Sequence, residues 1–327
     1  MIITKRLFAN EIEKLGLSKN TWVVGLSGGA DSLCMTLLAN EYAIAHGIQL
    51  YACIVDHKLR PESSAEILPT IGILRQNSIN YKVFIWEHYE KITGGIEQKA
   101  RKARYAFLYQ YCQETGASVL MTAHHALDQW ETFFMRLSRG SGLKGLTSIQ
   151  PVSTFEDIIL ARPLLKFSPN DIKKTLRERF DISDYVKDPS NEQDIYERVR
   201  WRKAYNELSE KYGLNIENIN KTIERIKVEN DCLNEIANAY VQTSFIGEYI
   251  DLSQYKNLHI ALRIRILEKI IHKMSPKGKH LVSYSLLRKL ADEICQKDFK
   301  AINVSGLIFR QDRTKNIKVF AENREGS

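Results

Sequence analysis

The apolar positions of the first half of the chain follow two alternating periods. Thr21–Leu26 (TWVVGL) is a short β-branched run that ends in glycines, which predicts a buried strand. Ala30–His46 then shows helical spacing through Leu33, Leu37, Leu38 and Ile44. The alternation continues with strand Leu50–Val55, helix Ala65–Asn77, strand Tyr81–Trp86, helix Ile96–Thr115, strand Ser118–Thr122 and helix Ala126–Leu137. Strands separated by helices of this length predict βαβ units and a doubly wound α/β fold, its parallel sheet covered on both faces. Ligands of such sheets sit beyond the carboxyl ends of the strands, here after Leu26, after Val55 and after Thr122.

After Pro189 the pattern changes. Residues 193–212 predict one long charged helix, and from Leu214 onward the strand/helix alternation is gone. Helical stretches at 216–242, 259–273 and 283–297 precede strand-like Gly306–Arg310 and Ile317–Phe320. Two domains are expected: 1–212, with 193–212 as a linker helix, and 213–327, smaller and mainly helical with a terminal hairpin. The net charge is +8, of which +3 falls in 1–212 and +5 in 213–327. The shorter part is the more basic per residue, which suits docking to a polyanion. Five scattered cysteines without a C-x-x-C pair exclude a zinc ribbon and a disulfide scaffold, and reduced, buried thiols are expected. The first sixteen residues carry charges throughout, and no stretch nears the roughly 20 apolar residues of a membrane span. A cytoplasmic protein without membrane association is expected.

Ser27-Gly28-Gly29-Ala30-Asp31-Ser32 joins the first strand to its helix. Glycines let the backbone approach an anion closely, and the first N–H groups of a helix lack intrahelical acceptors, so this turn is a phosphate cradle. Ser27 and Ser32 add hydroxyl donors. Asp31 would repel phosphate unless a cation bridged them, which points to Mg²⁺. The loop is neither G-x-x-x-x-G-K-[ST], since no lysine follows, nor G-x-G-x-x-G.

Other segments carry candidate chemistry. Val55-Asp56-His57-Lys58-Leu59-Arg60 follows the second strand, where Asp56 and His57 either wall adenine and ribose or cap a loop. Glu97-x-x-Ala100-Arg101-x-x-Arg104-Tyr105 places its members on adjoining helix faces, as a functional set or a solvated ion pair. In His124-His125-Ala126-Leu127-Asp128-Gln129-Trp130-Glu131-Thr132, His124, Asp128 and Glu131 or Thr132 share a face. A catalytic zinc motif needs a second histidine where Asp128 stands, so a second Mg²⁺ carboxylate is the expectation. Arg136-Leu-Ser-Arg139-Gly140-Ser141-Gly142 ends that helix in a basic loop, which either grips phosphates or only turns. Arg162-Pro163-Leu164-Leu165 and Asp188-Pro189-Ser190-Asn191 follow, then Arg198 and Arg202 on one helix face.

The glycine loop resembles the S-G-G-x-D-S signature of the PP-loop (N-type ATP pyrophosphatase) superfamily, which has a Rossmann-like fold. Its members cleave ATP between the α and β phosphates, transfer AMP to a carbonyl-like oxygen and release pyrophosphate. In order and spacing, the segments over roughly residues 20–202 resemble the tRNA(Ile)-lysidine synthase family. Two positions depart from its pattern: Leu127, where the family has an acidic residue, and Val199, where an asparagine is expected after Arg198.

The resemblance implies ATP and Mg²⁺, a tRNA(Ile) with a CAU anticodon and free L-lysine. The implied ligase adenylates the C2 oxygen of the wobble cytidine and attaches lysine, releasing AMP and pyrophosphate. Ser27, Gly28, Gly29, Ala30, Asp31, Ser32, Asp56 and His57 are the expected ATP contacts, and Asp31 and Asp128 the metal ligands. Asp31, Asp128, Glu131, His124 and Arg104 are the expected catalytic set. In it Glu131 or His124 takes the proton of the lysine amine, and Arg104 balances phosphate charge. Arg60, Arg136, Arg139, Lys144, Arg198 and Arg202 are expected on tRNA together with the basic 213–327 domain. A homodimer is left open. Rival readings are a tRNA thiolation enzyme, which calls for paired cysteines, an amidating synthetase for a small metabolite, and a non-catalytic RNA-binding protein.

Overall fold

The computed structural model describes residues 1–17, 20–58, 63–87, 95–186, 197–275 and 282–322. The chain packs as two compact units, Met1–Glu224 and Arg225–Ser327; the division falls inside a helix at 224/225, whereas the sequence suggests 212.

In the first unit, β1 (Trp22–Leu26), β2 (Leu50–Asp56), β3 (Asn80–Ile85), β4 (Val119–Met121), β5 (Val152–Phe155) and β6 (Ile158–Ala161) form one sheet in the order β3-β2-β1-β4-β6-β5. Five strands run parallel, and β5 pairs antiparallel with β6, so the all-parallel expectation is corrected at one edge. The β5–β6 turn puts Glu156 at φ +53°, a left-handed position that no glycine or asparagine marks in the sequence. β-Strand alternation splits the core in two. Trp22, Val24 and Leu26 pack with α1 (Lys5–Lys14), α2 (Ala30–His46) and α8 (Pro169–Phe180), while Val23 and Cys53 pack with α5 (Ile96–Thr115). The expected helix Ala65–Asn77 is two pieces, α3 (Ser63–Glu66) and α4 (Leu68–Gln76), because Pro69 opens a new first turn.

The sheet order places the site. From β1 the chain moves outward through β2 and β3, then returns to lay β4 on the other flank of β1, in register Trp22↔Val119 to Val24↔Met121. The loops leaving β1 and β4 therefore diverge side by side at a topological switch point.

Past β4 come α6 (Ala126–Ser138) and the short α7 (Leu143–Leu146), and beyond β5, β6 and α8 the chain forms α9 (Glu197–Tyr212). The fully buried Trp130 on α6 holds α9 in place. Its ring lies 4.6 Å from Phe134, 5.1 Å from Tyr205 and 6.0 Å from Trp201, and Leu127, Ile219 and Ile223 close the cluster.

In the second unit, the rest of α10 (Ile216–Ser244), α11 (Leu252–Tyr255), α12 (Ile260–Met274) and α13 (Tyr284–Glu293) accompany a five-stranded antiparallel sheet. The sheet runs β7 (Phe245–Ile246), β8 (Tyr249–Ile250), β11 (Ile317–Ala321), β10 (Leu307–Gln311) and β9 (Ala301–Val304). The expected terminal hairpin is its β10–β11 pair, and the strands on either side extend it. Phe309, Ile317, Val319 and Ile250 share one core with Ile266, Leu267, Ile270 and Leu290. All five cysteines are free, but only Cys34, Cys53 and Cys112 are buried; Cys232 is exposed and Cys295 half-buried, so the expectation of buried thiols holds for three. No helix among the described residues is long and apolar enough to cross a membrane.

Trp130→Ala is expected to lower stability by about 3–5 kcal/mol in urea unfolding and to open α9 to limited proteolysis. A loss under about 1 kcal/mol would contradict the packing role assigned to this ring.

Candidate active site

The turn after β1 is shaped before any ligand arrives. Gly28 has φ +83°, and a Cβ there would meet Val186 Cγ2 at 2.8 Å and Thr70 Oγ1 at 2.9 Å, so only glycine satisfies both backbone and space. The Val186 N–H donates to Gly28 O at 3.1 Å. Ser32 Oγ accepts the Ser27 N–H at 3.1 Å, lies 3.0 Å from Ser27 Oγ and donates to Gly29 O at 3.1 Å. The two serines thus lace the loop as well as offering hydroxyls. Gly29 caps α2 with no side-chain hydrogen bond, leaving the amides of the first turn for an anion.

The loop after β4 meets this turn through one histidine. His125 is the N-cap of α6: its Nδ1 accepts the Asp128 N–H at 3.3 Å, and its own N–H donates to Asp128 Oδ2 at 2.8 Å. The other ring nitrogen, Nε2, faces Asp31 Oδ2 at 3.7 Å. One imidazole therefore stands between the carboxylates that the sequence assigned to metal. Burial raises the Asp31 carboxyl above its ordinary range, against His125, with Asp128 adding to the rise. Its Oδ1 is buried and meets no hydrogen-bond partner among the described residues. Burial would raise Asp128 too, but His125 and His124 hold it below its usual range. An orphaned buried carboxylate oxygen beside a second carboxylate and a phosphate cradle fits a hard oxygen-seeking cation such as Mg²⁺. No cluster of three or more protein metal ligands exists among the described residues.

Beside this pair lies a crowd of cations. Thr122 Oγ1 is 3.0 Å from His124 Nδ1, and burial, opposed by Asp128 and aided by Arg162, Arg101 and Arg198, brings the His124 imidazole down to about 4. Arg101 and Arg104 lie 5.0 and 5.7 Å over the Tyr105 ring. Burial lowers the Arg104 guanidinium, with Arg101 and Arg198 adding like charge. Arg162 gives Nη1 to Gln150 O at 2.7 Å and Ser153 Oγ at 3.1 Å, while its buried Nε meets no acceptor among the described residues. Arg101 and Arg162 thus join the site although sequence reasoning gave them no role; their only signal was membership of the quoted segments.

Glu131 is fully buried and accepts from Arg202 Nε, with Arg198 Nε 4.0 Å from its other oxygen. Burial raises its carboxyl above the ordinary range, and Arg202 pulls part of that back. Arg202 also approaches Asp128 Oδ1 at 4.0 Å. Arg198 and Arg202, expected on tRNA, are therefore turned toward the carboxylates of α6.

The remaining candidates are placed elsewhere. Buried Asp56 accepts from Ser63 Oγ at 2.7 Å, Ser64 Oγ at 2.5 Å and the Lys58 N–H at 3.0 Å, a set that holds it below its usual range despite burial. It organises the loop after β2, where the His57 ring packs edge-on to Trp86 at 5.7 Å. Arg136 gives Nη1 to Gly145 O at 2.8 Å and Ser148 O at 3.1 Å, bracing the turn around α7. Arg139 pairs with Glu197 at the surface, and Lys144 is exposed on α7. Arg60, Asp188-Pro189-Ser190-Asn191 and the Glu97 side chain lie outside the described residues.

Known proteins resemble this chain in sequence and in fold. A PP-loop domain matches residues 3–208. A tRNA(Ile)-lysidine synthase of Wolbachia pipientis is 31% identical, the match covering 89% of this chain and 68% of that one. Another, from a Bradyrhizobium species, is 32% identical over 78% of this chain and 74% of its own. Among solved structures, the U34-tRNA thiolase NcsA from Methanococcus maripaludis, with its 4Fe-4S cluster, shares the fold at a TM-score of 0.56 and 21% identity, covering 68% of this chain and 79% of that one. Burial pushes Cys34, Cys53 and Cys112 here up to about 12, which keeps them thiols rather than reactive thiolates. A glycine turn at the switch point, the family match over residues 3–208 and relatives aligned along most of the length agree: the chain belongs to the tRNA(Ile)-lysidine synthase family of PP-loop proteins.

Proposed function

We propose that this chain consumes ATP to convert the wobble cytidine of a CAU-anticodon tRNA(Ile) to lysidine, with free L-lysine as the nucleophile. The observation that carries this reading is the meeting of Asp31, His125 and Asp128 beside an amide cradle in a chain of this family. The cytosine C2 oxygen attacks the α phosphorus and pyrophosphate leaves. The lysine ε-amine then attacks C2, loses a proton, and AMP departs with the oxygen.

The amides of the Ser27–Ser32 turn and the N-terminus of α2 receive the departing diphosphate. Asp31 Oδ1 and Asp128 Oδ1 would hold Mg²⁺, which when bound neutralises charge on the phosphate oxygens. Arg104, crowded by Arg101 and Arg198, offers its guanidinium to the adenylate. Of the two proton acceptors the sequence left open, His124 is made a weak base by its lowering to about 4, while Glu131, raised by burial, keeps one oxygen without a hydrogen-bond partner among the described residues beside its bond from Arg202. Glu131 also orients Arg202 and Arg198. A single-stranded anticodon loop can present its base at modest energetic cost.

The direct test incubates the chain with ATP, Mg²⁺, labelled lysine and a tRNA(Ile) transcript. Label in RNA matched by equal AMP and pyrophosphate is expected, and AMP formation without label in RNA would overturn the reading. Asp31→Asn should slow AMP formation by about 100-fold or more; a rate within a few-fold of wild type contradicts its role. The lowered His124 value also has a stability signature. The unfolded chain binds a proton near 6.5 that the folded chain refuses until about 4, so stability is full above 6.5 and falls as pH drops toward 4. The effect is on the order of 1–3 kcal/mol, and His124→Asn should flatten it in pH-dependent urea melts.

A further inference from the structure

α8 carries four cations, Lys173, Lys174, Arg177 and Arg179, and three of them are occupied within the fold. Lys174 lies 3.9 Å and Arg177 3.3 Å from Glu178, while Arg179 reaches Glu41 on α2 at 2.6 Å. Lys173 is exposed and forms no ion pair with any described residue.

The packing of α8 on α2 decides where this ammonium stands. β1, β4 and β6 are parallel, so the helices that follow β1 and β6 run side by side in one direction. Ile172 and Leu176 are fully buried in one core with Leu33 and Leu37 of α2. The Arg179–Glu41 contact fixes the register between the two helices. Six residues earlier on each, Lys173 falls level with Met35, one turn from Asp31. A turn rises about 5.4 Å, and helical side chains lean toward the N-terminus, so Lys173 is carried toward the Ser27–Ser32 turn. The Asp31 carboxyl senses it there. Burial raises that carboxyl, and after His125 the cation that opposes the rise most is Lys173, ahead of Arg202.

Arg101 and Arg104 belong to α5, which covers the opposite face of the sheet from α2 and α8. A nucleotide at the β1–β4 switch point therefore meets cations from both faces. The glycine turn itself is followed by no lysine, so its own segment supplies amides and hydroxyls but no positive side chain.

We propose that Lys173 is a phosphate ligand, the cation with which α8 grips the diphosphate leaving ATP. This rests on the reading of the Ser27–Ser32 turn as an ATP site. The bond from the α phosphorus to the bridging oxygen breaks with its electron pair on that oxygen, and negative charge grows on the diphosphate. The ammonium meets that charge and gives up no proton. Arg104, on the other face, keeps the adenylate, so the two products are drawn to opposite flanks.

The test titrates magnesium pyrophosphate, and separately AMP, into the full chain by calorimetry, with melting temperature read alongside. Lys173→Met should bind pyrophosphate about tenfold more weakly, with AMP affinity and melting temperature unchanged. Lys173→Arg should restore most of the loss, and Lys174→Met should match wild type. Mn²⁺ binding without phosphate should be unchanged or tighter in Lys173→Met, because a positive charge has left the neighbourhood of Asp31. Pyrophosphate affinity within twofold of wild type would overturn the proposal. So would an equal loss in Lys174→Met, or Mn²⁺ affinity or melting temperature falling in step with pyrophosphate, which would make Lys173 a support of Asp31 or of the fold. A wild-type chain that binds neither ATP nor pyrophosphate sinks the ATP site and this proposal together. One that binds pyrophosphate but makes no lysidine sinks only the function proposed above.

Discussion

The pairing of β1 with β4 is the constraint on which the site depends. Two parallel strands lying side by side, each followed by its own helix, release two loops at one point and aim two helix N-termini at it. Each helix carries an aspartate in its first turn, Asp31 on α2 and Asp128 on α6, and His125 stands between them. Positive helix ends attract phosphate, while the paired carboxylates call for a cation. A metal–nucleotide complex answers both demands. Neither loop alone would.

The rest of the first unit steadies this meeting. Trp130 pins α9 against α6 through aromatic contacts, so Arg198 and Arg202, one helical turn apart, reach the single buried carboxylate of Glu131. Removing one member of such a buried pair leaves an uncompensated charge, and specificity of position is the gain it offers against its desolvation. Of the two positions that depart from the pattern expected of the family, Leu127 joins the Trp130 cluster, and Val199 is buried on α9. An acidic residue at 127 would need a polar setting that this apolar seam does not supply.

Much of this was legible in the residues. Alternating periods placed α2 and α5 at their observed bounds, and the S-G-G-x-D-S loop located the cradle. Elements without a strong period were missed. β5 and β6 are four residues each around a turn without glycine, and β7 and β8 are two each, too short for alternation to register. α8 did carry a signal, the capping box from Ser168 to Asp171 with Pro169 in the first turn. Side-chain roles were the least legible, because spacing gives the face but not the neighbour. Nothing in sequence told that Arg136 would brace carbonyls, that Asp56 would be enclosed by hydroxyls, or that Arg162 would end with a buried, unanswered Nε.

The most direct measurement of the central claim is a crystal structure of the chain with Mg²⁺ and an ATP analogue that cannot be cleaved between its α and β phosphates. The expected result is the β and γ phosphates on the amides of Ser27–Ser32, with the metal bridging them to Asp31 and Asp128. A nucleotide bound away from the β1–β4 switch point, or a metal that touches neither carboxylate, would contradict it.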